Sequence, residues 1–177
     1  AEPDQAGASF GRWVSAAGDV NGDGFADVIV GAPDYDAGQN GEGRAYAYLG
    51  GGFGPPVAPA WVTDSDQAGA DYGISVATAG DVNGDGFADV IVGAWLHDGG
   101  QADKGKAYVY HGSGDGPEDV AAWAPEGNQV GAMLGYSVAS AGDVNGDGYS
   151  DILVGAINYT NGQANEGRVF LYPGQSV

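Results

Sequence analysis

Three stretches of this chain set acidic and amide side chains at alternate positions of a glycine-punctuated turn. The first is Asp19-Val20-Asn21-Gly22-Asp23-Gly24-Phe25-Ala26-Asp27, which returns unchanged from Asp81 to Asp89 and, with Tyr149 and Ser150 substituted, from Asp143 to Asp151. Alternate side chains of a tight loop can point at one centre, and carboxylate and amide oxygens suit a hard cation. Calcium takes six to eight oxygens at about 2.3–2.6 Å. The expected ligands of the first loop are Asp19, Asn21, Asp23, the Phe25 carbonyl and Asp27. The second loop offers Asp81, Asn83, Asp85, the Phe87 carbonyl and Asp89; the third offers Asp143, Asn145, Asp147, the Tyr149 carbonyl and Asp151. This predicts about three Ca2+ ions per chain.

Asn-Gly and Asp-Gly pairs also make good hairpin turns without any metal. A turn needs one such pair, however, whereas each loop here brings together three carboxylates and an amide, which repel unless a cation sits among them. Magnesium suits the site less, because it keeps several waters and demands stricter octahedral geometry. The first nine positions follow an EF-hand loop, with Gly24 at the sharp reversal, but the twelfth is Val30 rather than a bidentate Glu. The residues that follow read as a strand, where an EF-hand continues into a helix.

The elements that would hold these loops repeat with them. Asp19, Asp81 and Asp143 stand 62 residues apart, as do Arg44, Lys106 and Arg168, and Trp61 and Trp123. A fixed period decides the fold before any other reading. Each unit predicts four short strands. The first lies around Val14, Val76 or Val138; the second is the β-branched run opening at Asp27, Asp89 or Asp151. The third, Arg44 to Leu49 and its copies, alternates small and aromatic residues, the period-2 signature of a strand with two unlike faces. The fourth carries Trp61 or Trp123. No segment shows sustained helical periodicity, so the chain is expected to be all-β, a stack of propeller blades. The blades are set at 1–62, 63–124 and 125–177, the last without its own fourth strand.

Composition narrows the partners. Of 177 residues, 43% are hydrophobic, five are Lys or Arg and 24 are Asp or Glu, for a net charge of −19. Such a chain repels nucleic acid, whose binding depends on Lys and Arg, and no apolar run approaches the ~20 residues of a membrane span. There is no cysteine for a disulfide or a thiolate metal site.

Phe10-Gly11, the loop from Asp19 to Asp27 and Gly31-Ala32-Pro33 resemble the FG-GAP repeat of integrin α-subunit propellers. The second copy reads Tyr72-Gly73 and Gly93-Ala94-Trp95, the third Leu134-Gly135 and Gly155-Ala156-Ile157; the acidic loop is kept in all three. The resemblance covers nearly the whole chain. It implies a β-propeller with calcium between strands one and two of its blades, in a secreted or cell-surface protein. Integrin-type propellers have seven blades, and three cannot close a ring. The segment from Asp4 to Ala8 matches Asp66 to Ala70, just after a fourth strand, and the chain ends at Pro173-Gly174-Gln175-Ser176-Val177 before another begins. Two readings follow: a homodimer closing a six-bladed ring, or a fragment of a longer propeller.

His97 and His111 have no repeat counterparts and are expected in surface loops; no serine or cysteine stands in a nucleophile motif. Trp61 and Trp123 read as packing residues, while the unmatched Trp13 and Trp95 mark where a ligand face could have been added. Asn158-Tyr159-Thr160 fits a glycosylation sequon. Arg44, Lys106 and Arg168 are expected to serve as cationic partners for a nearby acidic loop. Three functions fit these residues unequally. A non-catalytic binding or adhesion module with a protein ligand leads, and a propeller lectin with a glycan ligand is the alternative. An enzyme fares worst, because the carboxylates recur identically where catalysis needs one asymmetric constellation.

Overall fold

The computed structural model describes residues 5–54 and 56–175 and is all-β. Asp4 of the repeat match and the C-terminal Ser176 and Val177 lie outside the described residues. The first sheet pairs β1 (Trp13–Gly18), β2 (Asp27–Ala32), β3 (Arg44–Tyr48) and β4 (Trp61–Asp64) in sequence order. The second holds β5 (Ser75–Gly80), β6 (Asp89–Ala94) and β7 (Lys106–Tyr110); the third holds β8 (Leu134–Gly142), β9 (Asp151–Ala156) and β10 (Arg168–Tyr172). All pairings between these strands are antiparallel.

The fourth strand expected in the second unit is reduced to two bridges, Lys106 with Glu126 and Val109 with Trp123. The cause is one residue. Thr63 stands opposite Ala45 in the first sheet, and Pro125 holds the matching place opposite Ala107. Proline has no N–H to give to the ladder, so the strand is interrupted there.

The core lies between sheets. Alternation in β3 turns Ala45 and Ala47 toward the second sheet, where with Ile29 they pack on Val76, Val90, Val92 and Tyr110. The next interface repeats the arrangement: Ile91, Ala107 and Val109 pack on Val138, Ile152, Val154 and Tyr172. Each sheet thus has a trailing face of small or aliphatic residues and a leading face rich in valine and tyrosine.

Main-chain contacts lock these junctions at equivalent points. Tyr72 N–H donates to the Glu42 carbonyl at 3.1 Å, and Leu134 N–H to that of Lys104 at 3.1 Å. Ala88 N–H donates to the Asp19 carbonyl at 2.9 Å, and Ser150 N–H to that of Asp81 at 2.8 Å. The glycine in the GA pair of each unit explains itself here: a Cβ on Gly31 would run into the Gly73 carbonyl, and one on Gly93 into that of Gly135. The FG-type glycine of one unit therefore sits on the GA glycine of the unit before it. Near the acidic loops, a Cβ on Gly22 would stand 2.8 Å from the Phe87 ring, and one on Gly84 2.6 Å from Tyr149.

Candidate metal centre

Each acidic loop joins the first two strands of its sheet, β1 to β2, β5 to β6 and β8 to β9, and backbone N–H groups fold it around its own carboxylates. Asp19 takes N–H bonds from Asp23 at 3.0 Å and Gly24 at 2.9 Å, and Asp23 takes one from Phe25 at 2.9 Å. The Asn21 amide donates to Asp23 at 3.0 Å. The second loop repeats this, with Gly84 and Gly86 donating to Asp81 at 2.6 and 2.9 Å and Phe87 to Asp85 at 2.9 Å. The third does so with Gly146 and Gly148 on Asp143 at 2.6 and 2.9 Å, and Tyr149 on Asp147 at 3.0 Å. Asn83 and Asn145 likewise donate to Asp85 and Asp147.

The ninth position behaves differently. Asp27, Asp89 and Asp151 are buried, and each carboxylate spans two strand ends. Asp27 accepts from Val20 and Gly50, both at 2.7 Å; Asp89 accepts from Val82 at 2.7 Å and Gly112 at 2.8 Å; Asp151 accepts from Val144 and Gly174, both at 2.9 Å. Besides being a candidate ligand, this residue staples the loop to the end of the third strand. The spacing that suggested a ligand gave no sign of that second role.

Charge follows environment. N–H bonds from Gly148 first, then from Gly146 and Asp147, hold the exposed Asp143 carboxyl below the ordinary aspartate range. Burial pushes Asp89 up to about 6, against the N–H groups of Gly112 and Val82 and the neighbouring His111.

The structure thus brings together the first, third and fifth positions of each loop. Among the described residues no three acidic or histidine side chains converge as a metal-holding group; the third position is an asparagine, and the ninth-position aspartate is engaged by main-chain N–H groups at the strand ends. The donors still fit a hard cation: each carboxylate oxygen that accepts one N–H keeps a second lone pair, and the position-seven carbonyl adds another oxygen.

Other expectations are redistributed. Arg44 pairs with Asp64 at 3.0 Å and Lys106 with Glu126 at 3.0 Å, so these cations serve the fourth-strand position and not the acidic loop. Arg168 has no carboxylate partner among the described residues and lies over Tyr159 and Phe170, 5.2 and 4.9 Å from the ring centres. His111, expected in a surface loop, is buried. It lines a cavity of about 460 Å³ with Trp123, Tyr172 and Gly174. Trp95 donates to Asp71 at 2.8 Å and packs on Tyr136, so it bridges the second and third sheets. Trp61 is buried against Tyr110, and Trp13 is exposed. No helix among the described residues is long and apolar enough to cross a membrane.

A family model for the FG-GAP repeat matches residues 10–48, 72–110 and 134–172. Integrin alpha-7 of Homo sapiens is 40% identical over 151 residues, covering 84% of the chain. Integrin alpha-PS2 of Drosophila melanogaster is 35% identical over 188 residues, and integrin alpha-5 of Xenopus laevis 30% over 183, each covering 98% of the chain. The chain spans only 12%, 13% and 17% of the length of these three relatives.

Proposed function

The chain belongs to the FG-GAP repeat family, and on that premise we propose that it is a calcium-binding β-propeller scaffold acting as a non-catalytic, adhesion-type binding module. One observation carries the reading: the same acidic loop, with the same N–H scaffold, joins the first two strands of all three sheets. Asp19, Asn21, Asp23, the Phe25 carbonyl and Asp27 would hold the first ion, and the matching residues of the other two loops the second and third. A divalent ion would offset the repulsion among the nine loop aspartates and the cost of burying Asp27, Asp89 and Asp151. Its ligand would be a protein, and self-association belongs to the same reading. Extracellular modules bind calcium in the 10⁻⁴–10⁻³ M range, which suits a secreted or cell-surface location.

Native mass spectrometry with and without a chelator tests the calcium reading. Three ions per chain are expected at millimolar calcium; none retained there would sink it. The exposed Trp13 supports a second reading, a glycan-binding propeller, since an aromatic face stacks on a sugar. A glycan array on the calcium-loaded protein separates the two, because a pure scaffold gives no sugar signal.

A further inference from the structure

Asparagine precedes glycine at five places in the chain: Asn21-Gly22, Asn40-Gly41, Asn83-Gly84, Asn145-Gly146 and Asn161-Gly162. Such a step can react with itself. With no Cβ on the glycine to obstruct it, the glycine nitrogen can attack the asparagine side-chain carbonyl and close a five-membered ring. An amide nitrogen attacks only after giving up its proton. An N–H held by a carboxylate is therefore a poor nucleophile, since the nearby negative charge opposes loss of that proton. A side-chain amide bonded at both its oxygen and its nitrogen is likewise a poor target. The structure holds four of the five steps and leaves one free.

In the acidic loops both ends of the asparagine amide are engaged. The Asn21 amide donates to Asp23 at 3.0 Å, and its oxygen accepts the Asp23 N–H at 3.2 Å. Asn83 does the same with Asp85 at 2.8 and 3.0 Å, and Asn145 with Asp147 at 2.9 and 2.8 Å. In the second and third loops the attacking nitrogen is committed as well, because Gly84 donates to Asp81 and Gly146 to Asp143. Asn40-Gly41 lies outside these loops and is held another way. Gly41 N–H donates to the Asp36 carboxylate at 2.7 Å, and the Asn40 carbonyl accepts from Gly69 at 2.9 Å. Bonds on both sides fix the planar peptide unit between the two residues.

Asn161-Gly162 has none of these restraints. The loop from β9 to β10 is tied at Thr160, which exchanges bonds with Gln129 at 2.7 and 3.0 Å and accepts the Asn165 N–H at 3.2 Å. Among the described residues, neither the Asn161 side chain nor the Gly162 N–H makes a hydrogen bond. Both residues are exposed. So are Gly99 and Gly100, which hold the same places in the second unit although the third sheet packs against it, so the exposure belongs to the loop tip itself. We propose that Asn161 is a site of intramolecular deamidation in the folded protein. The Gly162 nitrogen loses its proton and bonds to Cγ of Asn161, the Cγ–Nδ2 bond breaks, and the side-chain nitrogen takes up a proton and leaves as ammonia. Water, the only co-reactant, then opens the cyclic imide at either carbonyl to give aspartate or isoaspartate. Both products add a negative charge to the loop, and isoaspartate also lengthens the main chain by one carbon. The proposal stands apart from the calcium reading.

The test is peptide mapping by tandem mass spectrometry of the 177-residue chain after incubation at mildly alkaline pH and millimolar calcium. The mass gain of an amide turned into an acid is expected at Asn161 and not at Asn21, Asn40, Asn83 or Asn145. The same incubation in urea should place it at all five, since the steps differ only in how the fold holds them. Asp36→Ala, a change at an exposed loop residue, frees the Gly41 N–H. Asn40 should then react about tenfold faster or more in the folded variant, the size expected for losing a hydrogen bond to a carboxylate. Equal rates at Asn161 and the other four in the folded chain would overturn the site, as would a faster reaction at Asn83 or Asn145. An Asn40 that stays unreactive in folded Asp36→Ala would overturn the hydrogen-bond cause.

Discussion

β7 and β10 occupy the same slot in successive units, and their fates differ. Lys106-Ala107-Tyr108-Val109-Tyr110 is covered by the third sheet, and its outer edge makes bridges to Trp123 and Glu126. Arg168-Val169-Phe170-Leu171-Tyr172 pairs with β9 on one edge and exposes its aliphatic face. Both form five-residue strands with the same register to their inner neighbour. Local sequence and the loop behind it are therefore enough to make the strand. What its side chains contribute to stability depends on whether another blade lies over them.

Calcium removal should have the largest effect and should level the difference, since all three loops act alike. A site filled at 100 times its dissociation constant contributes about 2.7 kcal/mol, so chelation is expected to lower the unfolding midpoint steeply in a melt followed by near-ultraviolet circular dichroism. Loss confined to the third sheet would break the equivalence of the loops.

Next in size is Gly93→Ala, which drives a Cβ into the Gly135 carbonyl and should cost about 1–3 kcal/mol or more. The same change at Gly155 meets only the Ser137 side chain, which can turn away. Urea unfolding of dilute protein should show the first variant clearly weakened and the second close to the parent; equal losses would show that the junction is not what penalises the Cβ.

Val109→Ala follows at about 2 kcal/mol, from the lost methyl groups and the cavity left between the second and third sheets. Leu171→Ala in dilute protein should change stability by less than about 0.5 kcal/mol, because that side chain is half exposed.

The smallest effect is electrostatic. Hydrogen bonds from Lys104 and then Lys106 pull the Glu126 carboxyl down to about 2. Its folded-state value lies below the unfolded one. The stability it brings is therefore present above about pH 4.5 and fades as pH falls toward about 2. Glu126→Gln should remove that slope from an acid titration, at under about 1 kcal/mol because the pair is partly exposed.

Much of this was legible in the sequence because the unit repeats without insertion. Asp27, Asp89 and Asp151 mark where each second strand opens, and alternation in Arg44 to Tyr48 foretold its two unlike faces. The FG and GA pairs were visible too, but the contact of Gly73 on Gly31 joins residues of different units, and only packing brings them together. Pro125 was in plain view, yet its effect depends on standing opposite Ala107. His111 precedes a glycine-rich polar segment in sequence, yet it is buried, beside Val82 and Trp123 of its own unit and the end of the third sheet at Tyr172 and Gly174. The staple made by the ninth-position aspartates was hidden for a different reason, since one spacing serves both a metal ligand and a main-chain acceptor.

The unbroken 62-residue period has a cost during folding. The loop and second strand from Gly18 to Ala32 are identical to those from Gly80 to Ala94. A chain emerging from the unfolded state can therefore dock the first unit directly on the third, looping out the second, through nearly the same glycine contacts as the native pairing. Such a mispaired state buries real surface and must come apart before the native order forms, a characteristic hazard of near-identical repeats. Junction residues that differ between copies, among them Tyr72 against Leu134, Phe87 against Tyr149, Val90 against Ile152 and Ala47 against Val109, are what the chain has for telling one neighbour from the next.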